Sequence, residues 1–153
     1  MLIIEETDPL AAGPKALLEE SHALMRALFP PEDNYFLDFE ALRGDDIRFF
    51  AAREGKEVLG TGALALHDGY GEVKSMFTAQ AARGRGVAAA ILRAIEDKAR
   101  EEGVTVLRLE TADKLESAVR VYRRAGFAAR GIFGDYRPNA TSVYMEKRLE
   151  PLA

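Results

Sequence analysis

Residues 83 to 88 read Arg-Gly-Arg-Gly-Val-Ala, two guanidinium groups alternating with two glycines just ahead of an apolar-periodic stretch. Gly84 and Gly86 would let the backbone turn sharply and bring its N–H groups close to a ligand. A helix starting here would add unpaired N–H donors and a partial positive charge, a ready site for phosphate. Arg83 and Arg85 would bring cationic charge to a pyrophosphate. Taken alone, the segment points to a phosphate-bearing ligand, or to a basic turn that only caps a helix. It is no P-loop, which needs a Gly-Lys-Ser/Thr ending, and GRGVAA lacks the third glycine of a dinucleotide fingerprint.

Other chemistries are excluded by what is missing. The sequence holds no cysteine, which rules out disulfides, thiolate metal sites and a cysteine nucleophile. Its two histidines, His22 and His67, are isolated and make no zinc site, so no metal is expected. Each reads as an ordinary surface or boundary residue, His67 beside the turn-forming Asp68-Gly69 and His22 within an amphipathic stretch.

The elements that must position the loop follow from periodicity. Leu2 to Glu5 is β-prone and ends at Asp8-Pro9. From Pro14 to Phe29, Leu17, Leu18, Leu24, Met25 and Leu28 recur near helical spacing before Pro30-Pro31 stops them. Tyr35 to Leu42 reads as a second short helix. Ile47 to Arg53, Val58 to Leu66 and Tyr70 to Thr78 read as an antiparallel run, turned at Glu54-Gly55-Lys56 and Asp68-Gly69. Val87, Ile91, Ile95 and Ala99 form one stripe of a helix that runs to Glu102 and is capped by Gly103. Val104 to Glu110 is a strand, Leu115 to Ala125 a helix, and Ser142 to Leu149 a last strand. The order predicts a mixed α/β sandwich, neither doubly wound nor a barrel.

The 153 residues suit one domain, 1–153, and 48% apolar with 30% charged residues reads as globular. No apolar run approaches the roughly 18 residues of a membrane span. The N-terminus meets acid within five residues, unlike a signal peptide, so a cytoplasmic protein without a membrane partner is the expectation. A net charge of −4 argues against nucleic acid as a partner. A homodimer is compatible with the sequence.

Three separated motifs resemble the GNAT acetyltransferase superfamily and together cover nearly the whole chain. Arg83, Gly86 and Ala88 match its acetyl-CoA signature, Arg/Gln-x-x-Gly-x-Gly/Ala. Gly71 to Thr78, GEVKSMFT, matches the strand before it. Tyr122, Gly126 and Phe127 match a later Tyr-x-x-x-Gly-Phe element. The resemblance implies the GNAT fold, a mostly antiparallel α/β sheet whose middle strands splay, and acetyl-CoA as co-substrate. The pantetheine arm would bond to backbone groups of Met76, Phe77 and Thr78, with the pyrophosphate over Arg83, Gly84, Arg85, Gly86, Val87 and Ala88. The family's frequent proline before the arginine is Gln80 here, and its usual asparagine on the tyrosine helix is Leu115, which removes one side-chain bond to pantetheine.

The same resemblance implies N-acetylation of a small-molecule or peptide amine by direct attack, with Tyr122 as acid and the Phe77 N–H as oxyanion donor. Glu72 is the expected base, sharing a strand face with Lys74, Met76 and Thr78 by alternation; Glu110 is the reserve. Pro30 to Tyr35 and Gly131 to Tyr136 are expected to wall the acceptor pocket. The tail IFGDYRPNATSVYMEKRL resembles a bacterial branch named for indole-acetic acid, although carboxylate acetylation is not the fold's ordinary chemistry. A non-catalytic acyl-CoA module would keep the loop without needing Tyr122 or Glu72.

Overall fold

The computed structural model describes residues 1–151. In chain order its elements are β1 (Leu2–Glu6), α1 (Ala12–Leu28), α2 (Phe39–Leu42), β2 (Ile47–Glu54), β3 (Glu57–Leu66), β4 (Gly71–Thr78), α3 (Val87–Glu101), β5 (Val106–Ala112), α4 (Glu116–Arg124), β6 (Ala128–Arg130) and β7 (Ser142–Arg148). The strands form one seven-stranded sheet ordered β1-β2-β3-β4-β5-β7-β6. Neighbours pair antiparallel throughout, except β4 with β5, which is parallel. Among the described residues no helix is long and apolar enough to cross a membrane.

Each face of the sheet has its own apolar cluster. On one, Val87, Ile91, Leu92, Ile95 and Ala99 of α3 bury against Leu64, Val73, Leu107, Leu109 and Met145, with Tyr122 and Phe127 in the same cluster. These spacings are the helical stripe of α3 and the alternate positions of the strands, so burial follows the sequence pattern. On the other face Leu18 of α1 and Leu42 of α2 pack on Phe49 and Ala63.

Only four residues of the expected helix 35–42 are helical. Asp38 caps α2 by accepting from the Ala41 N–H at 2.8 Å, and the chain before it is irregular. That irregular stretch covers His22, which is buried at 6% exposure rather than at the surface. Its ring stacks on Phe36 with centroids 4.2 Å apart and leans on Phe39 at 5.7 Å. Burial first, and the Arg26 guanidinium second, hold its pKa below the ordinary value.

Candidate active site

β4 and β5 pair only through Gly71 with Leu107 and Glu72 with Arg108, after which the strands part. The splay expected from the sequence is therefore present, and it opens beside residues 73–78. Within that length the face pattern changes. The register of β4 against β3 slips between Thr61 and Ala63. Ser75 sits there with φ +56°, its carbonyl held by the Thr61 hydroxyl at 2.9 Å and its own hydroxyl buried without a partner among the described residues. This bulge inserts one residue and reverses the alternation beyond it. Lys74 lies opposite Ala63, on the α1 side. The Met76 sulfur lies on the α3 side, 2.6 Å from where a Cβ on Gly62 would stand, beside Ile91 and Ile95. So Glu72 and Lys74 share one face but Met76 and Thr78 do not join them, which corrects the reading from strict alternation.

The loop after β4 ends at the start of α3. Gly84 and Gly86 adopt φ +80° and +78°, the left-handed region that disfavours a Cβ, and open space surrounds both. Gly86 is the N-cap and offers no side chain. The first helical bond runs from Ala90 N–H to the Gly86 carbonyl, so the N–H groups of Val87, Ala88 and Ala89 have no partner among the described residues. Val87 itself anchors the turn by burying its side chain at 2% exposure. The two arginines differ. Arg85 donates from Nη2 to both carboxylate oxygens of Glu54, at 2.9 and 3.0 Å, whereas Arg83 is exposed and makes no ion pair among the described residues. A turn with free N–H donors, room above its glycines and an uncommitted guanidinium fits a pyrophosphate, and the adjoining fork fits an extended arm.

Below the fork lies a buried polar cluster around Glu72. One carboxylate oxygen, Oε1, meets His67 Nε2 at 3.0 Å; the other, Oε2, accepts from the Tyr136 hydroxyl and faces Lys74 Nζ at 3.6 Å. Lys74 in turn donates to the Tyr35 carbonyl at 2.9 Å and to the Tyr136 hydroxyl at 2.8 Å. Burial, then the Glu72 charge, keeps the Tyr136 hydroxyl protonated well above the ordinary phenol range. Glu72 and Lys74 border a cavity of about 390 Å³ shared with Leu37, Ala41, Asp46 and His67.

The two expected walls meet over this cluster. Tyr35 and Tyr136 pack edge to face at 4.8 Å, and Phe133 packs on Tyr136 at 5.2 Å. The cavity itself, however, is lined by Leu37 to Ile47 with Ala65, His67, Glu72 and Lys74, and by no residue of Pro30 to Tyr35 or Gly131 to Tyr136, which corrects both expected walls. Glu110 accepts from the Ser142 hydroxyl at 2.6 Å and lies near enough to Lys74 and Glu72 to feel their charges. Burial is the main cause that raises its pKa. Tyr122 lies across the sheet, buried among the α3-side apolar residues and 6.0 Å from the Phe127 ring. Burial, then the Glu110 charge, holds its pKa above the ordinary phenol value, so the hydroxyl is a proton donor at neutral pH.

Lys74 was expected on the same strand face as Glu72, whereas His67 and Tyr136 were not expected in contact with the carboxylate. His67 was legible in principle. Residues 65 and 72 pair across the hairpin, so 67 and 72 are diagonal neighbours on one face. Tyr136 arrives from 64 residues away, through a segment of no regular period, and no local pattern announces it.

Comparison with known proteins agrees with this geometry. The model of the acetyltransferase (GNAT) family matches residues 15–127. The chain belongs to that family, and is an acetyltransferase by class. It is 42% identical over 148 residues to an IAA acetyltransferase from Azospirillum brasilense, covering 95% of this chain and 97% of the relative. A solved structure from Klebsiella pneumoniae subsp. pneumoniae, provisionally assigned as an acyl-CoA N-acyltransferase, superposes with TM-score 0.85 at 32% identity over 98% of this chain and 99% of that one. The Salmonella typhimurium protein yncA, solved with its cofactor acetyl-CoA, shares the fold at TM-score 0.74 and 16% identity, covering 99% of this chain and 96% of that one.

Proposed function

We propose that this acetyltransferase uses acetyl-CoA to N-acetylate a primary amine, on a small molecule or a peptide, by direct attack in a ternary complex. The observation that carries the reading is the fork between β4 and β5, which closes at Glu72 and opens toward the loop that leads to the free N–H groups of α3. Arg83 and the turn Gly84 to Ala88 hold the pyrophosphate, Arg85 joining them if it leaves Glu54. Backbone groups of Met76, Phe77 and Thr78 hold the pantetheine arm as an added strand. Acetyl-CoA supplies an activated acyl carbon; the residues supply position and proton transfer. Membership of the family, and the acetyl-CoA bound in yncA, support this choice of donor.

Glu72 accepts a proton from the attacking amine and Tyr122 protonates the departing thiolate; the oxyanion is steadied by a β4 N–H turned into the fork rather than by that of Phe77, whose pairing with Thr61 turns it toward β3. Without a cysteine there is no acyl-cysteine route, which favours direct attack. The relative's name raises indole-acetic acid as an acceptor. That molecule has no primary amine, so an amine acceptor is the better match to a buried carboxylate. The test follows CoA thiol release over a panel of amino acids, aralkylamines, free N-terminal peptides and indole-acetic acid. Turnover with an amine supports the reading. Acetyl-CoA binding with no turnover of any amine would leave an acyl-CoA binding module instead. Glu72→Gln should lower turnover most at low pH, where the amine arrives protonated, with acetyl-CoA affinity unchanged; an unaltered pH–rate profile would pass the base role to Glu110.

A further inference from the structure

We propose that His67 carries the proton from Glu72 to solvent during turnover, a positioning role that rests on Glu72 being the base. The need for a carrier follows from stoichiometry. An amine that arrives as an ammonium loses two protons as the N–C bond forms and the C–S bond breaks. One ends on the thiol sulfur; the other must reach water. Glu72 cannot deliver it directly, since its side chain is only 7% exposed.

Its two oxygens have different partners. Oε2 is held by the Tyr136 hydroxyl and faces the Lys74 ammonium, both of which are donors. Oε1 meets His67 Nε2 at 3.0 Å, the one neighbour able to take a proton from it. The His67 side chain is 38% exposed, so it bridges the buried carboxylate and water. The ring is held in place by stacking on Tyr70 at 4.7 Å and 14°, and Tyr70 also lies 4.4 Å from the Arg108 guanidinium. The hairpin bond from His67 N–H to the Tyr70 carbonyl, 2.9 Å, fixes the backbone beneath it. His67 lines one cavity with Glu72 and Lys74 from β4 and Asp46 from the segment before β2, and Tyr70 covers the ring from its own turn.

His67 rests with its proton on Nε2, donating to the ionised Oε1. Once Glu72 has taken the amine's proton, tautomer exchange through solvent moves the imidazole proton to Nδ1, Nε2 accepts the proton from Glu72, and Nδ1 releases its own to water, which returns both groups to the resting form. No electron transfer or further reactant is required.

Steady-state assays of the full chain, with acetyl-CoA and the fastest amine of the panel in dilute buffer, test this. His67→Ala should lower kcat by about tenfold or more. Added free imidazole should restore it in proportion to concentration, while wild type ignores imidazole and KM for acetyl-CoA stays put. His67→Gln can still hydrogen-bond Glu72 but cannot ionise, so it should melt like wild type and remain slow. Full activity in both variants, or a loss that imidazole does not repair, overturns the relay. Glu72→Gln, slow with or without imidazole, separates the two ideas. If Glu72→Gln is slow while His67→Ala is fast, the relay alone falls; if Glu72→Gln is fully active, the base role falls and the relay with it.

Discussion

Tyr122→Phe deletes one oxygen from a ring already packed edge-on against Phe127. Because the ring is kept, fold and acetyl-CoA affinity should survive, while turnover falls about 10²-fold or more if the hydroxyl is the acid. If the oxygen only braces the core, stability falls by about 1 kcal/mol and turnover is nearly intact. Melting temperature and steady-state rate on the same protein distinguish these outcomes. At this scale the sequence singled out Glu72 by its place on the strand before the loop and Tyr122 through the resemblance of Tyr122, Gly126 and Phe127 to the family's element. Their partners were legible only where pairing is local. His67 lies across a two-residue turn from Tyr70, whereas Tyr35 and Tyr136 meet only after the sheet has closed.

The start of α3 leaves the N–H groups of Val87, Ala88 and Ala89 without a partner among the described residues. Gly86→Val would force a β-branched residue into φ +78° and put its side chain into the open space above the turn. Calorimetry should show acetyl-CoA binding strongly weakened in a protein that still folds, and unchanged affinity would remove the loop from the site. Arg83→Ala should cost less, about 1–3 kcal/mol for a charge-assisted contact. Arg85→Ala should cost less again, because the free protein already spends that guanidinium on Glu54. Helices and hairpins were readable here because burial repeats with their periods. The bulge was not, since nothing in Lys74-Ser75-Met76 departs from a strand sequence. It lies beside Gly60 and Gly62, where β3 approaches α3 so closely that a Cβ would come within 2.6 and 2.5 Å of Val87 and Ile91, a contact between elements that the local sequence does not announce.

Across the whole molecule, acid stability should depend on His22. The unfolded chain protonates this residue near its ordinary value of 6.5, the folded protein only at lower pH. Between those values the unfolded state binds more protons, so stability is lost as pH falls. Glu110 opposes the trend: its raised pKa makes the fold more stable as the carboxyl protonates. His22→Phe should keep stability at pH 7 within about 1.5 kcal/mol while flattening or inverting its slope between pH 7 and 5, as read by urea unfolding at both ends. The fork between β4 and β5 has a consequence of another kind. Strands β1 to β4 form one plate and β5 to β7 another, and two residue pairs stitch them at a single end. An acyl donor lying along both rims would act as a tie across that seam. Acetyl-CoA at 100 times its Kd should then add about 2.7 kcal/mol of stability, with slowed amide exchange on both rims. Adenosine 3′,5′-bisphosphate, lacking the arm, would load one plate only, and the far rim should exchange as freely as before.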